Sequence, residues 1–501
     1  MKSIYIYVYI YITYIQLQKN PETSKWEVHC SWHGAKAVSF CKLNEAATNV
    51  LQIAFEMGVL LRTGVSWTLR KVVLLVFGLG CVLHFLLGGQ EDIIDMMRRN
   101  RAPVHVCPCH GSKEETVEEE TVKETTVKAD WRNLSTEELG NLSVLGRYLY
   151  LEEPLGTPKD RTFLILIWKK GLYMEQRFVN EFTSEKKDPF ARCSVRNCKM
   201  TYEDEDVRIA DAVVFHLHTT PGPHDFPNRT RASQRWIWLT DESPFHTFML
   251  AQDKDISHYN GYFNWSMSYR MDSDIPVPYG RTLKLAESER SNNTVDYFST
   301  KSKVVAIMAS NCGGPNSRWE YVHELEKHID LDSYGGCGNL KCPGHFGVDC
   351  PALNQYKFYL AFENSNCPEY ITEKVWWNAF HKGAVPVVMG GPVESYRKIL
   401  PPNSFLHIDD FETPKDLAKH IKALSENSTA YNHFHAWRRE FRVSNEHAYF
   451  QSPIYHYCRI CEALNYNDPK PKVYNRMQDI WKVDGHCVPP AWMDRWSKVN
   501  G

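Results

Sequence analysis

The sequence predicts an α/β protein of two lobes, each a parallel sheet dressed with helices, and three observations carry that expectation. Short apolar runs bounded by polar segments recur at residues 162–168, 212–218 and 236–239, as the strands of a first lobe would. From residue 304 onward, strand-like runs (304–309, 331–334, 358–362, 385–389, 405–408) alternate with helix-period runs (318–328, 370–380, 414–424). Such alternation implies parallel strands, because a parallel neighbour is reached only through a crossover long enough to hold a helix. The 501 residues, 43% apolar and 24% charged, suffice for two ordinary domains and an accessory region.

Taken in order, the chain opens with a Tyr/Ile alternation over residues 4–15, an uncharged and β-prone stretch. A TA dinucleotide repeat read in frame encodes this alternation, so residues 1–56 are expected to be an over-extended reading frame, with Met57 starting a cytosolic tail over 57–71. Residues 72–87 are almost wholly apolar, and with Gly88 and Gly89 they approach the roughly 20 residues that cross a bilayer. Arg70 and Lys71 precede the run and Glu91 and Asp92 follow it, which predicts a type II signal anchor over 72–89 with everything beyond it lumenal. A cleaved signal peptide and a buried core helix are the alternatives. Residues 111–130 form a Glu/Thr/Val/Lys tract too polar for a core, the centre of a stem drawn over 90–155. The first lobe is then expected over 156–300, the second over 301–462 and a tail over 463–501. The net charge of −2 gives no support to nucleic-acid binding, which normally needs a basic excess.

Residues 358–389 are the most informative stretch. An apolar strand runs into Asn364 and Ser365, which favour turns and caps, and a helix-period segment follows. A strand end, a helix N-terminus and a lysine one turn in make a diphosphate cradle, since unpaired N–H groups, the helix dipole and an ammonium all favour anionic oxygens. Lys374 is the lysine. The plain alternative is a βαβ unit with ordinary capping residues.

This stretch resembles the donor-binding signature of the α1,3/4-fucosyltransferases, glycosyltransferase family 10. The resemblance rests on FENS at 362–365, EYITEK at 369–374 and VPV at 385–387, with further matches at RWIWLTDESP (235–244), FNWSMSYRMDSDIPVPYG (263–280), and Ser310 and Asn311 followed by Ser317 and Arg318. It covers most of residues 162–462. It implies two Rossmann-like lobes facing a cleft (GT-B), GDP-fucose as donor, and inverting α1,3 transfer. Such transfer needs a base for the acceptor hydroxyl and positive charge for the departing diphosphate. Glu242 of the ESP motif is then the catalytic base, and its plain alternative is a helix-capping acid. Asn311, Arg318, Asn364, Tyr370, Glu373 and Lys374 become the donor-binding set, with Arg318 and Lys374 on the diphosphate, Glu373 near the anomeric carbon, and Tyr370 and Asn364 against the donor. Asp272, Ser273 and Asp274 spell a DxD, which binds a cation in GT-A enzymes; here it is expected to be structural, with no metal or other cofactor required.

Of fifteen cysteines, all but Cys30, Cys41 and Cys81 lie beyond the apolar run, where disulfides are the default. The pairs Cys193/Cys198 and Cys458/Cys461 admit redox or zinc readings; the family resemblance implies that the two pairs are joined to each other. N-x-S/T sequons stand at Asn133, Asn141, Asn228, Asn264, Asn292 and Asn427, with Asn264 expected to be buried and unmodified. Within the family the chain is most similar to invertebrate core enzymes, which implies the innermost N-acetylglucosamine of protein N-glycans as acceptor and a Golgi membrane location. Terminal lactosamine acceptors are the alternative, and a catalytically silent glycan-binding protein is the third reading. Trp481, Trp492 and Trp496 of the tail either stack on sugar rings or, the commoner fate, pack on the core.

Overall fold

The computed structural model describes residues 131–169, 188–291, 295–342 and 347–500, together with three short strands nearer the N-terminus. The chain divides into two units, Met1–Val122 and Lys123–Gly501. In the first, strands β1 (Ile4–Ile6), β2 (Ile15–Lys19) and β3 (Trp26–Cys30) form an antiparallel sheet that draws on the Tyr/Ile alternation. The apolar run at 72–87 and the tract at 111–130 lie outside the described residues; among the described residues no helix is long and apolar enough to cross a membrane.

The second unit holds both lobes. Six parallel strands make the first sheet: β4 (Phe163–Ile167), β5 (Cys198–Thr201), β6 (Ala212–His216), β7 (Arg235–Leu239), β8 (Trp265–Ser268) and β9 (Ile275–Pro276), in spatial order β5-β4-β6-β7-β8-β9. The second sheet comprises β11 (Lys303–Met308), β12 (Leu331–Tyr334), β13 (Tyr356–Phe362), β14 (Val385–Met389) and β15 (Leu406–His407), all parallel, in order β12-β11-β13-β14-β15. Between them, β10 (Gly280–Lys284) pairs antiparallel with β16 (Phe441–Asn445). Gly280 is obligatory there, because a Cβ would stand 2.4 Å from the Trp376 ring and 2.6 Å from the Ser444 carbonyl.

Strands β6, β7 and β14 are buried at every residue, as parallel strands covered on both faces must be. The first sheet packs one face (Ile165, Val214, Ile237, Met267) on Leu145 and on Tyr457, Ile460 and Leu464. Its other face (Phe215, Trp236, Trp238) joins a continuous core with Tyr359, Tyr370 and Trp376 of the second lobe. Helices were expected between the strands of both lobes. Among the described residues the crossovers of the first sheet hold only 3-10 turns, and its covering helices, Val144–Leu151 and His456–Tyr466, come from the two ends of the unit. Residues 136–151 therefore belong to the fold rather than to the stem drawn over 90–155: helix Thr136–Asn141 carries a Ser135/Glu138 capping box, and Ser143 caps Val144–Leu151, which buries Leu145, Leu149 and Tyr150. The tail likewise packs: Trp481 lies against Trp238 and Tyr269, and Trp492 against Tyr321, so these rings serve the core.

Disulfides Cys193–Cys458 and Cys198–Cys461 staple helix His456–Tyr466 to the first lobe across 265 and 263 residues. Cys312–Cys337, Cys342–Cys350 and Cys367–Cys487 are further bonds whose pairing no spacing foretold. Asn133, Asn141, Asn228 and Asn427 are exposed, and Asn292 lies outside the described residues. Asn264 is buried, its amide spent on Arg229, the Trp236 N–H and the Lys472 carbonyl.

Candidate active site

Two loops at the carboxyl ends of β7 and β13 meet between the lobes. On the first, β7 ends at Leu239 and the chain turns through Thr240, Asp241, Glu242 and Ser243. Asp241 and Ser243 are buried, while the Glu242 side chain between them is half-exposed. The Glu242 N–H donates to Thr240 Oγ1 at 3.2 Å, which holds the turn. The Tyr279 hydroxyl donates to the Asp241 carbonyl at 3.0 Å.

On the second, β13 delivers Glu363, Asn364 and Ser365. Glu369 takes a left-handed φ of 62°, and the helix expected over 370–380 begins only at Lys374 and runs as a π-helix, Lys374–His381. Lys374 is thus its first residue rather than one turn in. π-Helices are rare and concentrate at functional sites.

The two loops touch through hydrogen bonds. The Tyr370 hydroxyl donates to Glu242 Oε2 at 2.8 Å, and the Ser365 hydroxyl to Ser243 Oγ at 2.6 Å. Tyr370 was expected against the donor; it is buried, and its hydroxyl is committed to the carboxylate of the expected base. Burial first, then the negative charges of Glu242 and Glu363, hold its phenol well above the usual tyrosine value, so it stays a donor at any physiological pH. His246 responds to charges of both lobes: burial lowers its pKa first, Glu242 opposes that, and Arg318 adds to it.

Lys374 lies in a carboxylate nest. Its Nζ donates to Glu363 Oε2 at 2.9 Å, Thr372 Oγ1 at 2.8 Å and Glu373 Oε1 at 3.3 Å, so all three ammonium hydrogens have acceptors. Burial alone would lower its pKa, but Glu363 and Glu373 outweigh it and keep the ammonium above the ordinary lysine range. Glu363, fully buried, is the counter-ion that the sequence reading passed over, although it is a letter of the FENS motif; burial pushes its pKa up against the pull of Lys374. The longest of the three bonds goes to Glu373.

Arg318, expected to grip the diphosphate, is buried at the start of helix Arg318–Glu326. It donates from Nη1 to the Phe362 carbonyl at 3.0 Å and from Nη2 to the Asn311 carbonyl, tying the loop after β11 to the end of β13. Its Nε–H is buried and has no partner among the described residues. Asn311 itself is exposed, its Oδ1 taking the Gly313 N–H at 3.1 Å, and Asn364 Oδ1 takes the Ser365 hydroxyl at 3.0 Å.

The DxD carboxylates face different partners. Asp272 pairs with Arg270, whereas Asp274 accepts from Ser266, Lys472 and Tyr474. The segment is an internal brace. A cavity of about 370 Å³ opens beyond β14 and β15, lined by Gly390, Pro392, His407, Asp409 and Trp492, and none of the charged residues above lines it.

A half-exposed carboxylate of the first lobe thus meets the cations of the second beside the ends of two parallel sheets. The family models agree: "Fucosyltransferase, N-terminal" matches residues 160–280 and "Glycosyltransferase family 10 (fucosyltransferase) C-term" matches 298–481. Among curated relatives, glycoprotein 3-alpha-L-fucosyltransferase A of Drosophila melanogaster is 34% identical over 310 residues, 60% of this chain and 58% of that one. The 4-galactosyl-N-acetylglucosaminide 3-alpha-L-fucosyltransferase FUT6 of Homo sapiens is 37% identical over 296 residues, 57% of this chain and 76% of that one. A solved alpha1,3-fucosyltransferase with GDP-fucose aligns over 70% of this chain and 95% of its own, at 16% identity and a TM-score of 0.36. The chain belongs to glycosyltransferase family 10, the fucosyltransferases.

Proposed function

We propose that this chain transfers L-fucose from GDP-fucose, with inversion and in α1,3 linkage, to the innermost N-acetylglucosamine of protein N-glycans. The observation that carries the chemistry is the Tyr370–Glu242 hydrogen bond, which holds a carboxylate of the first lobe against the donor-side loop of the second. In this reading Glu242 takes the acceptor hydroxyl proton as that oxygen attacks the anomeric carbon, and the bond from that carbon to the diphosphate breaks. The Arg318 Nε–H and the Lys374 ammonium receive the departing charge, Lys374 exchanging Glu373 for a phosphate oxygen. Glu373, released, faces the positive charge that develops on the sugar. These side chains supply the positive charge without a metal, and the two lobes act as a GT-B pair. The Drosophila relative, named for glycoprotein acceptors, favours the core acceptor; the human relative, named for 4-galactosyl-N-acetylglucosaminide, keeps lactosamine as the second reading. The apolar run at 72–87 supports a single-pass type II protein of the Golgi membrane, with residues 90–130 as stem and both lobes lumenal. Incubation of the chain with GDP-fucose and either N-glycopeptides or lactosamine, read by mass spectrometry of the linkage, separates the two acceptors. Transfer to neither by folded protein overturns the assignment.

A further inference from the structure

Behind the proposed base lies a cluster that sugar transfer does not use. Asp241, the residue before Glu242, is 1% exposed and faces three imidazoles. His447 Nε2 and His456 Nε2 lie 2.9 and 3.2 Å from its Oδ1, and His216 Nε2 lies 3.8 Å from its Oδ2. All three histidines are 3% exposed or less. The groups converge from four places in the chain: the end of β6, the loop after β7, the loop after β16, and the first residue of helix His456–Tyr466. One ligand atom each from Asp241, His447 and His456 fit within 4.8 Å of one another.

Two features separate this cluster from an ordinary hydrogen-bonded histidine pair. Although His447 Nε2 stands 2.9 Å from the carboxylate, the contact lacks hydrogen-bond alignment, and the ring is instead fixed flat on Tyr279, centroids 3.9 Å apart and 4° from parallel. The spacings of 2.9 and 3.2 Å also approach the roughly 3.3 Å that separates ligand atoms placed tetrahedrally about 2.0 Å from one zinc ion. Three imidazoles and one carboxylate are a borderline-soft nitrogen-rich set, suited to zinc rather than to magnesium or calcium.

We propose that Asp241, His447 and His456 form a buried structural zinc site, with His216 beside the second carboxylate oxygen. The ion clamps helix His456–Tyr466 to the first lobe, a third tie beside Cys193–Cys458 and Cys198–Cys461, and by fixing Asp241 it sets the backbone that presents Glu242. All three ligands are buried, which leaves no position for substrate, so the ion takes no part in sugar transfer. It loads as the chain folds.

The test is elemental analysis of the full chain, purified without a polyhistidine tag, before and after equilibration with equimolar zinc chloride, alongside X-ray absorption at the zinc edge. Wild type should retain about one zinc per chain, and the absorption spectrum should show a nitrogen and oxygen shell near 2.0 Å with imidazole scattering and no sulfur. The His447→Gln/His456→Gln double variant should drop to about a tenth of that content or less, because the remaining ligands cannot hold the ion. The wild-type spectrum stands whether or not the variant folds. Folded wild type that holds no zinc after equilibration, a sulfur shell, or a folded double variant with undiminished zinc would each overturn the proposal.

Discussion

The loops after β7 and β13 occupy corresponding places in two parallel sheets, yet they manage charge in opposite ways. After β7 a half-exposed carboxylate, Glu242, accepts from a neutral donor, the Tyr370 hydroxyl, and among the described residues no cation lies within salt-bridge distance of it. In the second lobe Lys374, after β13, is mostly buried and Arg318, at the start of the helix after β11, is buried; both are already engaged, Lys374 by two carboxylates and Arg318 by two carbonyls. A base must be free to accept a proton, whereas a buried ammonium awaiting a diphosphate must be neutralised until the ligand arrives. One loop is kept reactive and the other kept compensated.

Four substitutions sharpen or break this contrast. The largest effect belongs to Glu242→Gln, which keeps the Tyr370 bond but cannot take a proton; kcat should fall roughly 10³-fold with donor affinity unchanged, measured by initial rates and by titration of GDP. Next, Lys374→Ala leaves Glu363 buried without its counter-ion and should cost roughly 3–5 kcal/mol of stability by denaturant unfolding, with GDP binding lost. Donor affinity that survives this change would place the phosphate contact elsewhere.

Glu369 tests the hinge of the second loop. It accepts the Met271 N–H at 2.6 Å, and burial first, then the charge of Asp272, push its pKa up to about 7. Because the folded chain holds this proton more tightly than the unfolded one, stability is greatest below the ordinary carboxyl range and falls as pH rises towards 7. The loss amounts to roughly 3 kcal/mol at most. Glu369→Gln should abolish that fall, and melting curves between pH 4 and 8 check it. The smallest expected effect is that of Tyr370→Phe. Removing one hydroxyl from Glu242 should lower kcat about tenfold, in line with one charge-assisted hydrogen bond, and leave the donor KM unchanged. A raised donor KM with normal kcat would return Tyr370 to the donor.

The second lobe was largely legible in the sequence. Its central strands β13 and β14 are apolar runs buried at nearly every residue, and β12 and β14 fall where the pattern put them. The first lobe was half legible. β5, CKMT, and β8, WSMS, carry too few apolar residues to announce themselves, and the helices that cover the sheet lie far away in sequence, one inside what read as stem. Of the site, Glu242, Lys374 and Arg318 were visible as motif letters. That Tyr370 serves Glu242, that Glu363 is the counter-ion of Lys374, and that Asp241 meets three histidines depend on side chains brought together from distant segments, which no local pattern encodes.

The central claim is that Glu242 and the Lys374 nest are two halves of one fucosyl-transfer site. It is tested most directly by incubating wild type and Glu242→Gln with GDP-fucose and an N-glycopeptide, scoring product by mass spectrometry and linkage-specific digestion. The account predicts fucose α1,3-linked to the innermost N-acetylglucosamine with wild type and almost none with the variant. Equal product from both proteins would contradict it.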